Sequence, residues 1–537
     1  MKYLVFFLFL FLSQLSAELK LPAIFSHGMV LQQNMSTPVW GWGKEGDKVK
    51  VSFAGQVKRG KVDAEGNWMI KLNPMNANAK SQKMTIEVGG DKGKIVDILI
   101  GEVWLLSGQS NMDFDLKKIS VDAREPKYQP IVETIREEAK KSDALLRQIL
   151  VPHKTSYNKA LNNFVGEWKH SNPENNDLFS ATGFFFGQKL RAELNVPVGL
   201  IKAPWGGKPV ESFVPPAAYM ADPQLKAYYE KYMSDLDERI KKYDPEKTKA
   251  MYNKRIEKWK ADVKKAKEAK KAAPRKPRYP EAPATSTSVT GTLYNAMIHP
   301  VSKYGIKGAL WYQGESNAGR DPSEYRKRLQ ALITGWRNVW GQGDFPFYYC
   351  QLAGFRAPPT EPIADDGWVT VCDQMRLALN LENTGMAVLN DIGEETDIHP
   401  RNKIDAGYRL AYWALAKDYG RTDITYSGPL YESHEINGSK VTVTFSEVDT
   451  GLMVARKHLL NPAKEKAEKL GGFQIVGKDG NWKWAEAEIV SKNQVVVSHP
   501  SISAPVEVRY AWAANPTKAN LYNKAGLPTS VFSTLTK

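Results

Sequence analysis

"IKGALWYQGES", residues 306–316, decides how this chain folds. Gly308 to Tyr312 are apolar, and Gln313, Gly314, Glu315 and Ser316 then turn the composition polar at once. A short apolar run of this kind reads as a strand buried on both faces that ends at a surface. Four other stretches share the form: "VWLLSG" (103–108), "PVGLIKAPWGG" (197–207), "FPFYYCQLAG" (345–354) and "GMAVLNDIGEE" (385–395). Helical periods lie between several of them, in "GFFFGQKLRAEL" (183–194), "EYRKRLQALITGWRNVW" (324–340) and "AGYRLAYWALAKDYG" (406–420). Strand and helix in alternation predict a parallel sheet in a layered α/β domain. Ligands of such sheets sit at the carboxyl ends of the strands, where the polar clusters stand.

The flanks read differently. Up to residue 100, "TPVWGWG", "KVKVSFAG", "GNWMIKL" and "KMTIEVGG" alternate apolar and polar residues between turn signals, which predicts a β-sandwich-like module over 18–100. Strands return after 425, in "KVTVTFS", "GGFQIVG", "AEIVSKNQVVVSH" and "VEVRYAW", and predict a second β module over 426–537. The α/β domain then occupies 101–216 and 286–425. Between its halves, 217–285 carries two helical stripes. One is Leu225, Tyr229, Tyr232, Leu236 and Ile240; the other is Tyr252, Ile256, Trp259, Val263 and Ala266. Asp244 and Pro245 supply an N-cap and a first helical residue between them. That predicts a helical hairpin, its stripe packed on itself or on the main domain, followed by an irregular Pro-rich return.

Composition narrows the function classes. At 537 residues the chain is long enough for several cores, and 15 Trp and 23 Tyr also suit sugar-binding surfaces. Lys2 followed by "YLVFFLFLFL" and "SQLSA" predicts a signal peptide over 1–17, hence an exported, periplasmic or secreted protein. No other stretch approaches a membrane span. Cys350 and Cys372 lie in apolar segments and read as buried free thiols. The net charge of +15 is concentrated in 222–278, with 19 Lys and Arg against 10 Asp and Glu, and no nucleic-acid motif accompanies it. A solvated helical face accounts for it. No oligomeric state follows from the sequence.

The chemistry centres on Ser110 in "WLLSGQSNMDFDL" (104–116). A serine at a strand-to-loop corner is by itself a turn or capping residue. A base changes that reading. Of eight histidines, His399 in "DIGEETDIHPRNK" follows a strand end among carboxylates, with Asp397 two residues before it. A carboxylate there fixes the imidazole tautomer and stabilises the imidazolium. Oxyanion donors are offered by Gly206 and Gly207 in "PWGGKP", where backbone approaches a ligand closely, and by the neutral amide of Gln313. Asn111, Glu315, Asn317 and His299 are candidates for substrate contact. No H-E-x-x-H, P-loop or dinucleotide fingerprint occurs, so neither a metal nor another cofactor is implied.

"SGQSNM", "PWGG", "WYQGESN" and "DIHP", in this order, resemble the sialate O-acetylesterase family within the SGNH-type esterases. The likeness extends through "GTLYNAMIHP", "TGMAVLNDIGE" and "RYAWAANPTKANLYNKAGLPTS", over most of 20–537 except the 217–285 hairpin. The resemblance implies a flavodoxin-like three-layer SGNH hydrolase domain and a metal-independent serine esterase that removes O-acetyl groups from sugars, sialic acids first. It implies Ser110 as nucleophile and His399 as general base. The oxyanion hole would be the N–H of Ser110, that of a glycine in "WGG", and Gln313. The broader pattern is Asp-x-x-His, one residue longer than Asp397-Ile398-His399. Asp397 therefore leads as the acid, with Asp391, Glu395 or a backbone carbonyl behind it. Competing readings are an esterase for acetylated xylan or xyloglucan, a non-catalytic carbohydrate-binding surface protein, and, weakest, a basic nucleic-acid binder.

Overall fold

One strand organises the molecule. In the computed structural model, which describes residues 19–362 and 366–535, β1 (Asp91–Gly108) is 18 residues long. The leader expected at 1–17 lies outside the described residues. The first half of β1 alternates in burial, as a strand with one covered face does; every residue from Ile98 to Gly108 is buried. The first half pairs antiparallel with Asn78–Val88 among the N-terminal strands. The second half is the middle of a parallel sheet. The boundary expected near residue 100 is thus a point where a continuous strand changes partners.

The other strands of that sheet are β2 (Asp143–Leu150), β3 (Trp168–Ser171), β4 (Val198–Lys202), β5 (Gly308–Tyr312), β6 (Phe347–Cys350) and β7 (Thr384–Ala387). Their order is β7-β6-β5-β1-β4-β2-β3. All neighbours are parallel except β2 and β3. Earlier strands lie on one side of β1 and later ones on the other. The carboxyl end of β1 is therefore the switch point at which a crevice opens.

The helices used below are α1 (Ser110–Asp113), α2 (Ala181–Leu194), α3 (Pro223–Lys242), α4 (Pro245–Glu268), α5 (Tyr325–Trp340), α6 (Gly367–Leu377) and α7 (Lys403–Asp418). Sheet residues alternate between two cores. Trp104, Leu106, Leu200 and Leu310 pack with α2 and α7. Leu105, Ile201 and Trp311 pack with α5 and α6. Trp336 of α5 stands edge-on to Trp311, with ring centroids 6.0 Å apart. Each fully buried side chain of this size contributes about 1.5–3 kcal/mol. A methyl at Gly407 would meet backbone atoms of Thr182 and Phe186 at 2.7 Å, so α7 and α2 cross at backbone contact.

The 217–285 segment holds two long helices, the second capped by Asp244 as the sequence predicts and the first by Asp222. Asp222 accepts from Gln224 and Leu225 N–H, and Asp244 from Glu246 and Lys247 N–H. α3 buries Leu225 and Leu236. α4 buries no residue fully. Its stripe is half-covered by the Pro-rich return: Trp259 donates to Pro274 O at 2.8 Å, and Tyr252 packs edge-on to Tyr279. The stripe therefore finds its cover in the return segment, a partner the sequence reading did not consider. Beyond residue 429 the strands are antiparallel, and Cys350 and Cys372 are free and buried. Among the described residues, no helix is long and apolar enough to cross a membrane.

Candidate active site

Gly108 makes the corner at the end of β1. Its φ is +128°, and a Cβ there would lie 2.2 Å from Tyr312 O. Only glycine lets β1 and β5 approach this closely. Neighbouring strand ends stitch the corner: Gln109 N–H donates to Tyr312 O at 2.9 Å, and Trp205 N–H donates to Gly108 O at 3.0 Å. Ser110 follows as the first residue of α1, half-buried, with its hydroxyl at the carboxyl end of the sheet.

His399 arrives from the loop after β7. Its Nε2 is 2.9 Å from Ser110 Oγ. Its ring stacks on Phe114, with centroids 4.3 Å apart, which fixes the plane of the imidazole. Asp397 Oδ1 accepts the His399 backbone N–H at 3.0 Å and stands 3.5 Å from Nδ1. That second distance is long for a hydrogen bond, as catalytic contacts without substrate often are. Arg124 and Arg401 reach the other oxygen at 3.3 and 3.4 Å. Burial pushes the Asp397 carboxyl up, but the His399 hydrogen bonds and the two guanidinium groups outweigh it and hold it at about 2. With its proton on Nδ1, the imidazole presents Nε2 to Ser110 as an acceptor. The other two candidate acids are placed elsewhere. Asp391 is gripped by Arg409 at 2.6 and 2.8 Å, and Glu395 is exposed.

Gly206 lies against the serine: a Cβ added to it would be 3.3 Å from Ser110 Cβ. The N–H groups of Ser110, Gly206 and Gly207 have no hydrogen-bond acceptor among the described residues. Gly207 has φ +70° and faces open space. Unpartnered N–H groups of this kind beside a serine can receive negative charge as it develops on a carbonyl oxygen.

Gln313 departs from expectation. It is fully buried, and its Nε2 donates to Asn317 Oδ1 at 2.7 Å and to Gln109 Oε1 and Lys208 O at 3.2 Å. Tyr325 OH donates to its Oε1. The amide thus ties the turn that carries Gly206, and it makes no hydrogen bond to Ser110 among the described residues. Asn317 is likewise internal: its Oδ1 also accepts Val210 N–H, and it donates to Glu211. His299 contacts Leu161 O and Tyr294, with no contact to Ser110 among the described residues. A polar residue that closes a buried strand has its hydrogen-bonding capacity claimed by neighbouring loops, and no strand-end motif reveals that.

Asn111 shapes the corner from within. It donates to Glu315 Oε1 at 2.5 Å and to Ile398 O at 3.1 Å, and accepts from Lys403 Nζ at 2.6 Å. By holding the Ile398 carbonyl it steadies the residue before His399. Burial raises the Glu315 carboxyl against the opposing pull of Asn111 and the charges of His399 and Lys403, and its Oε2 is buried with no partner among the described residues. Burial lowers Lys403 to about 8.

Residues without a sequence motif also surround the serine. Asp113 Oδ2 is 3.5 Å from His153 Nε2. His153 stacks on Trp205 with ring centroids 4.5 Å apart, and Lys208 Nζ stands 5.3 Å from the Trp205 ring. Only Asp113 and Phe114 carry a signal, their three- and four-residue spacing from Ser110.

Comparison with known proteins follows the same lines. Residues 282–414, which include Gln313, Glu315, Asp397 and His399, match the family described as carbohydrate esterase, sialic acid-specific acetylesterase. The chain is 28% identical over 530 residues to sialate O-acetylesterase of Homo sapiens, across 91% of this chain and 87% of the human one. The Mus musculus enzyme is 28% identical over 531 residues, across 91% and 88%. A solved structure of a carbohydrate acetylesterase from Xanthomonas citri superposes with a TM-score of 0.76 at 30% identity, over 97% of this chain and 100% of that one. The chain belongs to the sialate O-acetylesterase family of carbohydrate esterases and is a carboxylic-ester hydrolase.

Proposed function

We propose that the enzyme removes O-acetyl groups from sugars, O-acetylated sialic acids first, through an acetyl-Ser110 intermediate. The observation that carries the mechanism is the 2.9 Å approach of His399 Nε2 to Ser110 Oγ, with Asp397 behind the ring. Ser110 Oγ attacks the acetyl carbonyl carbon while Nε2 takes the hydroxyl proton. Negative charge moves onto the carbonyl oxygen, toward the N–H groups of Ser110 and Gly206. The bond to the sugar oxygen then breaks, and His399 returns its proton to that oxygen. Water, deprotonated by His399, attacks the acetyl-serine, and acetate leaves with Ser110 restored. Asp397, ionised down to about pH 2, offsets the imidazolium charge throughout.

The sialate preference rests on the relatives' names and on charge near the serine. A sialic acid carries a carboxylate, and Lys208 stands two residues beyond Gly206 with its ammonium over Trp205. Ser110→Ala tests the mechanism. A folded variant should lose on the order of four decades of acetylesterase activity and all labelling by a fluorophosphonate. Near-normal turnover would sink it. Acetate release from O-acetylated N-acetylneuraminic acid, set against acetylated xylo-oligosaccharides, tests the sugar; faster release from the xylo-oligosaccharides overturns the sialate reading.

A further inference from the structure

A cleft of about 600 Å³ lies between α3, the Pro-rich return and the loops after β4 and β5. A single acetylated ring over Ser110 does not need that volume; ligand pockets of several hundred Å³ hold molecules of drug size. The cleft shares a chain segment with the serine's surroundings. Pro209 on its wall is three residues from Gly206, a reach of about 10 Å at most. Lys208 between them donates to Thr287, whose neighbours Ser286 and Ser288 line the cleft.

The walls have the chemistry of sugar recognition. Tyr228 and Tyr232 of α3 are half-exposed, their rings stacked at 6.2 Å and 23°. Arg328 and Arg239 stand over these rings, so the half-exposed aromatic edges and their hydroxyls border the cleft as apolar surface with polar rims. Part of the fixed charge is spent: Arg328 pairs with Glu211 at 2.6 Å and Asp321 at 3.4 Å. Arg239 and Arg320 also line the cleft, and neither has a carboxylate partner among the described residues. Guanidinium groups without a carboxylate partner, and hydroxyls beside aromatic rings, suit a polyhydroxylated chain.

We infer that this cleft binds the sugar residues beyond the acetylated one, so that the enzyme's substrate is a chain-linked glycan rather than a free monosaccharide, and that the 217–285 insertion supplies the wall that makes it so. The inference rests on Ser110 as the reacting centre. Sialylated glycans and neutral plant oligosaccharides share this chemistry, so the test carries one arm for each.

In the catalytically silent Ser110→Ala protein, calorimetry should show a sialylated trisaccharide binding at least about tenfold tighter than free N-acetylneuraminic acid, with xylotetraose against xylose as the neutral arm. Tyr232→Ala, added to Ser110→Ala, should erase the gain from chain length. In the active enzyme, Tyr232→Ala and Arg239→Ala should each lower the ratio of kcat/KM for an O-acetylated sialylated trisaccharide to that for the free O-acetylated sugar by about tenfold. A ratio of activities is insensitive to partial misfolding. Equal affinity for short and long ligands in both arms, or an unchanged ratio, overturns the inference. A chain-length gain confined to xylotetraose upholds the cleft and overturns the sialate reading alone. Activity surviving Ser110→Ala overturns the mechanism and is seen separately with 4-nitrophenyl acetate.

Discussion

Two carboxylate–imidazole pairs flank Ser110, and they are built to opposite ends. In one, Asp397 stands beside His399 Nδ1 and leaves Nε2 facing the serine hydroxyl at 2.9 Å. In the other, Asp113 faces His153 on Nε2, and the same nitrogen meets Pro204 O at 3.1 Å. The second ring lies flat on Trp205, one residue before Gly206. Its acid and its carbonyl claim one nitrogen, and no contact between His153 and Ser110 occurs among the described residues. A carboxylate beside an imidazole is therefore not a base in itself. What decides the role is which nitrogen the acid takes and what the other one meets. We read His153 as a positioning residue that holds the turn carrying the Gly206 N–H.

The largest effect should separate the pairs outright. His399→Ala removes the proton acceptor and should lower kcat by on the order of 10⁴ with the fold intact by circular dichroism. Next comes Asp397→Asn. It keeps the volume but not the charge behind Nδ1, and should cost about 10³ in kcat with little change in KM. A loss below about tenfold would mean that the 3.5 Å contact does not tighten when substrate binds, and that His399 acts without its acid.

Much of this was legible in the sequence because it follows from local pattern. The apolar runs that end in "SGQS", "PWGG" and "WYQGES" are β1, β4 and β5, and the sheet brings their polar ends together. Asp-x-His was legible too, since two residues suffice to set Oδ1 against both the backbone N–H and Nδ1. The roles of the amides were not. Gln313 and Asn317 sit where a strand-end polar residue can face a ligand, yet both are turned inward by acceptors at Lys208, Gln109 and Glu211. His153 was illegible for a related reason: its partners Asp113 and Trp205 come from distant segments that only the β1–β4 pairing brings together.

A buried lysine stands behind each pair, and that parallel has a thermodynamic consequence. Lys202 near Asp113 and Lys403 on Asn111 are each lowered by burial to about 8. An unfolded lysine titrates near 10.4, so between about pH 8 and 10 the unfolded chain holds more protons than the folded one. Stability must then rise with pH across that window, by up to about 1.4 kcal/mol per pH unit for each lysine. Below pH 8 both states are charged and the burial cost is present in full. Denaturant titrations of Lys403→Met against wild type should show the variant rising less steeply from pH 8 to 9.5. Parallel curves would show that Lys403 is better solvated than its position beside Asn111 implies.

The smallest effect tests the comparison most finely. His153→Phe keeps a flat ring on Trp205 but removes the donor to Pro204 O and the partner of Asp113. If His153 only positions the turn, stacking should retain most of that function, and kcat/KM should fall by less than about tenfold. The activity–pH profile should keep its shape, because the base at Ser110 is untouched. His153→Ala, which removes the stack as well, should cost more than His153→Phe. The informative failure is a His153→Phe enzyme as dead as His399→Ala. Both imidazoles would then handle protons, and the nitrogen that Asp113 and Pro204 share in the resting enzyme would have to be released when substrate arrives.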